Sequence, residues 1–144
     1  MEETKAKNLL KIFCLIGGLY EILFGCLMIF FLVPLLNLLG ASITQLQFPI
    51  FSQTAGLLAI ILGLILFFSS LNVKKYSLNI IFITILRFTI QIVIIINIIN
   101  IPEIAFGLFL FGLMDLIFAI ITIYLMVKGD LSLNILKIIQ EGGN

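Results

Sequence analysis

The chain has 144 residues, of which 62% are hydrophobic and only 10% charged, with a formal net charge of +1 and a mean hydropathy of +1.34. A single domain of this length cannot stay soluble with so little polar surface, so the composition points to an integral membrane protein. The charge balance gives no basic patch and excludes nucleic acid as a partner, and the absence of histidine removes the commonest metal ligand, general base and haem ligand.

Residues 1–8, MEETKAKN, are polar and read as a frayed or surface-bound lead-in. The first helix is expected over Leu9–Leu39, longer than the roughly 20 residues a span needs. Lys5, Lys7 and Lys11 imitate the basic start of a signal peptide, but the apolar run is far longer than a signal core and no A-x-A site follows. Pro34 is placed to kink its far end, and Gly40 to end it. Cys14 and Cys26 lie 12 apart in this one segment, so they cannot pair within a straight helix and read as small buried hydrophobes.

The uncharged stretch 41–52 reads as a loop, with Phe48, Pro49, Ile50 and Phe51 lying in the membrane interface. The second helix is expected over Gln53–Leu71. Gly56 and Gly63 share one face there and admit a close neighbouring backbone, which is ordinary helix packing. Asn72–Ser77 forms a hydrophilic turn, and the third helix runs from Leu78 to Asn100. Ile101-Pro102-Glu103 is a tight connection into a fourth helix over Glu103–Val127, broken by Lys128-Gly129-Asp130. Leu131, Ile135, Ile138 and Ile139 recur at helical spacing, which predicts a short amphipathic surface helix over 131–140. The fold class is therefore an all-α bundle of four transmembrane helices.

Orientation follows from the lysines. Lys5, Lys7, Lys11, Lys74, Lys75, Lys128 and Lys137 all fall on one side of a four-span topology, and the other side has no Lys or Arg. The positive-inside rule then puts both termini in the cytoplasm.

Three charges lie within the spans: Glu21, Arg87 and Asp115. Counting ~1.5 Å of rise per residue from the nearest polar boundary, each sits ~15–20 Å deep, near the middle of a roughly 30 Å hydrocarbon core. Charges at that depth are costly unless they meet. Gly18 and Gly25 flank Glu21, Gly112 and Ala119 flank Asp115, and Thr84 and Gln91 share the face of Arg87. Small neighbours let helices approach closely, and the planar arginine fork can serve two carboxylates. Two neighbouring carboxylates cannot both ionise cheaply, so one of them, Glu21 first, is expected to hold a proton. Gln53 joins the candidate polar cluster from the start of the second helix.

The chain resembles the DoxX-like family of small four-helix membrane proteins. The likeness rests on Gly17-Gly18-Leu19-Tyr20 with Gly25, on Pro49 through Gly56, on Met114-Asp115-Leu116-Ile117-Phe118-Ala119-Ile120, and on Arg87 in the third helix. Phe51 and Phe118 stand where that likeness leads one to expect tryptophan, a residue this chain lacks. The resemblance covers residues 10–127 and implies a four-helix bundle with cytoplasmic termini, in a family linked to quinone-dependent redox complexes.

Three functions are compatible with these residues. The first is an accessory or scaffold protein of the bacterial cytoplasmic membrane. It would bind a quinone, a membrane lipid or a partner membrane complex, a second copy of the chain included, and its mark would be a closed apolar pocket beside Arg87. The second is a proton-coupled exporter of small cations using Glu21. A membrane enzyme comes third, because no catalytic constellation, metal-ligand cluster or cofactor motif is visible.

Overall fold

The computed structural model describes residues 2–135 and 138. Helix α1 (Glu2–Phe30) begins seven residues earlier than expected. Glu2 and Glu3 occupy its first turn, where acidic side chains favour the helix dipole, and Lys7 pairs with Glu3 one turn on. Ala6 and Leu10 are buried, so the polar lead-in is a packed first turn rather than a frayed end.

Phe31 interrupts the helix, and α2 (Leu32–Leu38) follows. The cause is Pro34: it lacks an N–H, and its ring collides with the carbonyl four residues back, that of Phe30. Gly40 closes α2 at φ 106°. Its N–H reaches Asn37 O at 3.2 Å and the Ala41 N–H reaches Leu36 O at 2.9 Å, the paired bonds of a Schellman cap. The Asn37 side chain then clips the loop, donating to Ile43 O at 2.8 Å and accepting from Ile43 N at 2.9 Å.

Helix α3 (Pro49–Ser69) also starts early. Pro49 takes the first helical position, where its missing N–H costs nothing, so Pro49–Phe51 are the first turn of a helix and not a loop. Helix α4 (Ser77–Asn100) keeps its expected extent to within one residue. A 3-10 turn at Pro102–Ile104 leads into α5 (Ala105–Lys128).

Asp130, at φ 50°, lets the chain leave α5 through a second Schellman-type cap, with Leu131 N bonded to Met126 O at 3.0 Å. Leu131 is buried in the core, and 131–134 are not helical, because this cap turns the chain inward. Ile135 and Ile138 pack against the same core. Residues 136, 137, 139 and 140 of the expected surface helix lie outside the described residues.

Four helical segments, α1, α3, α4 and Pro102–Lys128, are long and apolar enough to cross a membrane. Their outward faces carry exposed Leu, Ile and Phe throughout, among them Leu23, Leu57, Ile92 and Phe109. A soluble monomer does not show apolar patches of this extent, so this is a multi-pass integral membrane protein. The spans form a ring in the order α1, α3, α4, α5, with α5 closing back onto α1.

The most extensive seam in the ring is α1–α3, and glycine makes it. A Cβ on Gly18 would lie 2.7 Å from Gly63 O, and one on Gly56 would lie 2.6 Å from Gly25 O. The two backbones touch, and Gly18 faces Gly63 while Gly25 faces Gly56, the register of an antiparallel pair. Gly18 and Gly25 therefore serve α3 and not, as their place beside Glu21 suggests, the partner of that acid. Gly112 does serve the arginine-bearing helix: its Cβ would sit 3.0 Å from Gln91 Oε1 and 3.1 Å from Ile94 Cδ1 on α4.

Candidate functional site

Arg87 projects from the middle of α4 into the ring. Its guanidinium reaches across the interior and donates from Nη2 to Glu21 Oε1 on α1 at 3.0 Å. Its Nε lies 3.9 Å from Asp115 Oδ1 on α5. The three charges that depth counting placed at one level thus meet, with side-chain exposures of 5% for Arg87, 15% for Glu21 and 20% for Asp115. The arginine is the enclosed member, and the two acids flank it.

Two further features seat the guanidinium. Gly17 leaves room for it, since a Cβ there would come within 3.2 Å of Nη2. Phe118 lies under the cation with its ring centroid 4.8 Å from Cζ, a cation–π contact that partly offsets the desolvation of the charge. Phe118 belongs to an aromatic ladder between α1 and α5. It meets Phe13 at 4.9 Å and Tyr20 at 5.6 Å, while Phe24 meets Phe111 at 5.0 Å. Gly17 and Phe118 appear in the sequence only as family-like positions, and nothing in their spacing marks them as arginine contacts. Facing across helices is set by packing that one sequence does not encode locally.

The other expected cluster members divide. Thr84 is buried, but its hydroxyl donates to Ile80 O at 2.7 Å within its own helix. Gln91 donates from Nε2 to Arg87 O at 3.0 Å, so it stays close to the arginine while satisfying backbone. Gln53 is exposed at the start of the second turn of α3 and does not line the cavity described next. Both cysteines are free.

Beside the triad lies a cavity of about 380 Å³, lined by all four spans. Tyr20, Glu21 and Phe24 come from α1, and Arg87, Ile90 and Ile94 from α4. Phe111 and Asp115 close the α5 side, and Leu58, Ala59 and Leu62 the α3 side. The walls are apolar except at the triad and Tyr20. Ala55 and Leu58 on α3 and Leu86 on α4 are lining residues that are also exposed on the outer surface. They put the mouth at the α3–α4 seam, which is less closely packed than α1–α3, α4–α5 and α1–α5. The cavity opens sideways, toward lipid, and so is not the closed pocket expected beside Arg87, because the α3–α4 seam is loosely packed.

This arrangement can hold an apolar body and present it with one cation and two acids. No group of three or more His, Cys, Asp or Glu side chains among the described residues gathers to bind a metal ion. Comparison with known protein families, with curated proteins and with solved structures finds no match for this chain.

Proposed function

We propose that this protein binds a lipid-soluble small molecule, a quinone or a lipid of similar bulk, in the cavity beside Arg87. It would do so as an accessory or scaffold protein of the bacterial cytoplasmic membrane, with both termini in the cytoplasm. The observation that carries the reading is the cavity itself. Its volume of about 380 Å³ falls in the range of small-molecule sites, and its walls follow the pattern of such sites, apolar with a few convergent polar groups. The size suits a head group and the first part of a tail, with the remainder leaving through the α3–α4 mouth. The likeness to DoxX-like proteins points the same way, and the lysine distribution supports the orientation.

Proton-coupled cation export is disfavoured by geometry. It needs a carboxylate free to exchange proton for substrate, and Glu21 is hydrogen-bonded to Arg87 at 3.0 Å. A purely structural role, in which the triad fixes helix register, is favoured by that same contact across the ring. It leaves unexplained why the triad borders a lipid-facing cavity.

The absence of tryptophan makes the test direct. Leu58→Trp places a reporter at the mouth, and Leu23→Trp places one on the outer face of α1, which is exposed and away from the cavity. Decylubiquinone should quench the Leu58→Trp signal saturably and the Leu23→Trp signal only in proportion to its concentration in the micelle. Identical linear quenching at both positions would contradict the proposal.

A further inference from the structure

The α3–α4 seam carries a second recess, on the outer surface of the bundle and at the end that bears Lys74 and Lys75. It encloses about 360 Å³. Ile61, Ile65 and Phe68 line it from α3, and all three are exposed. Tyr76 and Asn79, at the start of α4, give it a polar end. Ser69 also lines it, but its hydroxyl donates to Ile65 O at 2.7 Å.

Leu58, Ile61, Ile65 and Phe68 recur at three- and four-residue spacing and so share one stripe of α3. Leu58 stands at the mouth of the interior cavity, and Phe68 lies toward the polar end of the recess. Between them the helix rises ~15 Å at ~1.5 Å per residue, which is half of a roughly 30 Å hydrocarbon core. The stripe therefore has the length of one acyl chain within a single leaflet.

The polar end is cationic and rich in donors. Lys75 holds its ammonium 5.4 Å from the centroid of the Tyr76 ring, and Lys74 beside it is exposed. Neither lysine has an ion-pair partner among the described residues. No hydrogen bond among the described residues uses the Tyr76 hydroxyl or the Asn79 side-chain amide. Two unpaired cations and two free donors at the head of an apolar groove complement an anion that carries a hydrocarbon chain. A zwitterionic lipid brings a cation of its own, which the lysines repel. A free anion answers the lysines and has nothing to lay along the groove.

We infer that this groove is a site for an anionic phospholipid, its phosphate held by Lys75, Lys74, Tyr76 and Asn79 and one acyl chain lying over Phe68, Ile65 and Ile61 to the cavity mouth at Leu58. The inference is independent of what the interior cavity holds, and its failure would leave that reading standing.

The test again uses the absence of tryptophan. Ile61→Trp places a reporter in the groove. Leu19→Trp places one on the outer face of α1, at nearly the same depth because Gly18 faces Gly63, on a helix that carries Lys5 and Lys11 at its own end. Each variant is placed in phosphatidylcholine vesicles containing a small fraction of chain-brominated phosphatidylglycerol or chain-brominated phosphatidylcholine. The ratio of quenching by the two brominated lipids cancels depth at each position. At Ile61→Trp phosphatidylglycerol should be favoured by about fivefold for each lysine near the head group, and at Leu19→Trp by clearly less. Lys74→Gln with Lys75→Gln should lower the Ile61→Trp ratio to the Leu19→Trp value. Equal ratios at the two positions would overturn the site, and a preference that survives the double substitution would overturn the head-group assignment. Inorganic phosphate, added at constant ionic strength, should leave the ratio unchanged. A ratio abolished by phosphate would overturn the lipid as occupant and assign the polar end to a free anion.

Discussion

Helix α3 meets α1 backbone to backbone, and it meets α4 through side chains that leave space between them. Along the first seam Gly18 lies on Gly63 and Gly25 on Gly56, so the helices approach as closely as main chains allow. Along the second, Leu58, Leu62, Ile83 and Leu86 face a cavity that opens to lipid. In a bilayer no hydrophobic effect pulls helices together, so close packing and polar contacts must do so. The glycine seam supplies packing, and the Arg87 triad supplies polar contact across the ring from α4. With both in place, the α3–α4 seam does not have to close.

The largest effect should come from the triad. Arg87→Leu strands two carboxylates in the interior and should cost about 3–5 kcal/mol, read from unfolding in detergent. The triple replacement Glu21→Leu, Arg87→Leu, Asp115→Leu should recover most of that loss, because no charge is left unpaired. A triple variant no more stable than Arg87→Leu would show that the charges are not coupled. Next comes the glycine seam. Gly63→Leu places side-chain atoms against Gly18 O and Ile22 and should cost about 2–3 kcal/mol, whereas Leu58→Phe at the open seam should stay within about 0.5 kcal/mol. Similar losses at the two positions would erase the contrast between the seams.

A smaller effect separates the two acids. Glu21 accepts a hydrogen bond at 3.0 Å and Asp115 stands 3.9 Å from Nε. Glu21→Gln should therefore destabilise the ligand-free protein more than Asp115→Asn, by about 1 kcal/mol or more. The reverse order would mean that Asp115 is the main anchor of the arginine. A loss of comparable size, about 0.5–2 kcal/mol, should follow Phe118→Leu, which removes the cation–π contact without changing the salt dependence of unfolding.

What was readable in the sequence follows a physical division. Span number and the common depth of Glu21, Arg87 and Asp115 come from hydropathy and helical rise, both local properties, and the three side chains do meet. Helices start earlier than hydropathy predicts where polar or proline-bearing turns extend a span, at Glu2 and at Pro49. Which helix a glycine faces was not readable either. Gly18 and Gly25 lie on the same stretch as Glu21, yet they turn to α3, because facing depends on the arrangement of the whole ring. Thr84 and Gln91 lie on the arginine face, but each bonds to its own helix, as polar side chains in apolar surroundings readily do. The cavity had no sequence signal, since Ala59, Leu62 and Ile90 look like any other lining of a span.

The central claim is that the triad borders a ligand site and does more than lock the helices. Ala59 lines the cavity from α3 and belongs to neither ion pair of the triad. Ala59→Phe should fill the space and leave the ion pairs intact. The decisive measurement is the saturable rise in unfolding temperature with decylubiquinone, compared between the unmodified chain and Ala59→Phe. The unmodified chain should show the rise and Ala59→Phe should lose it while remaining folded. An equal rise in both would contradict the assignment of the cavity as the site, and no rise in the unmodified chain would leave the triad as a structural lock.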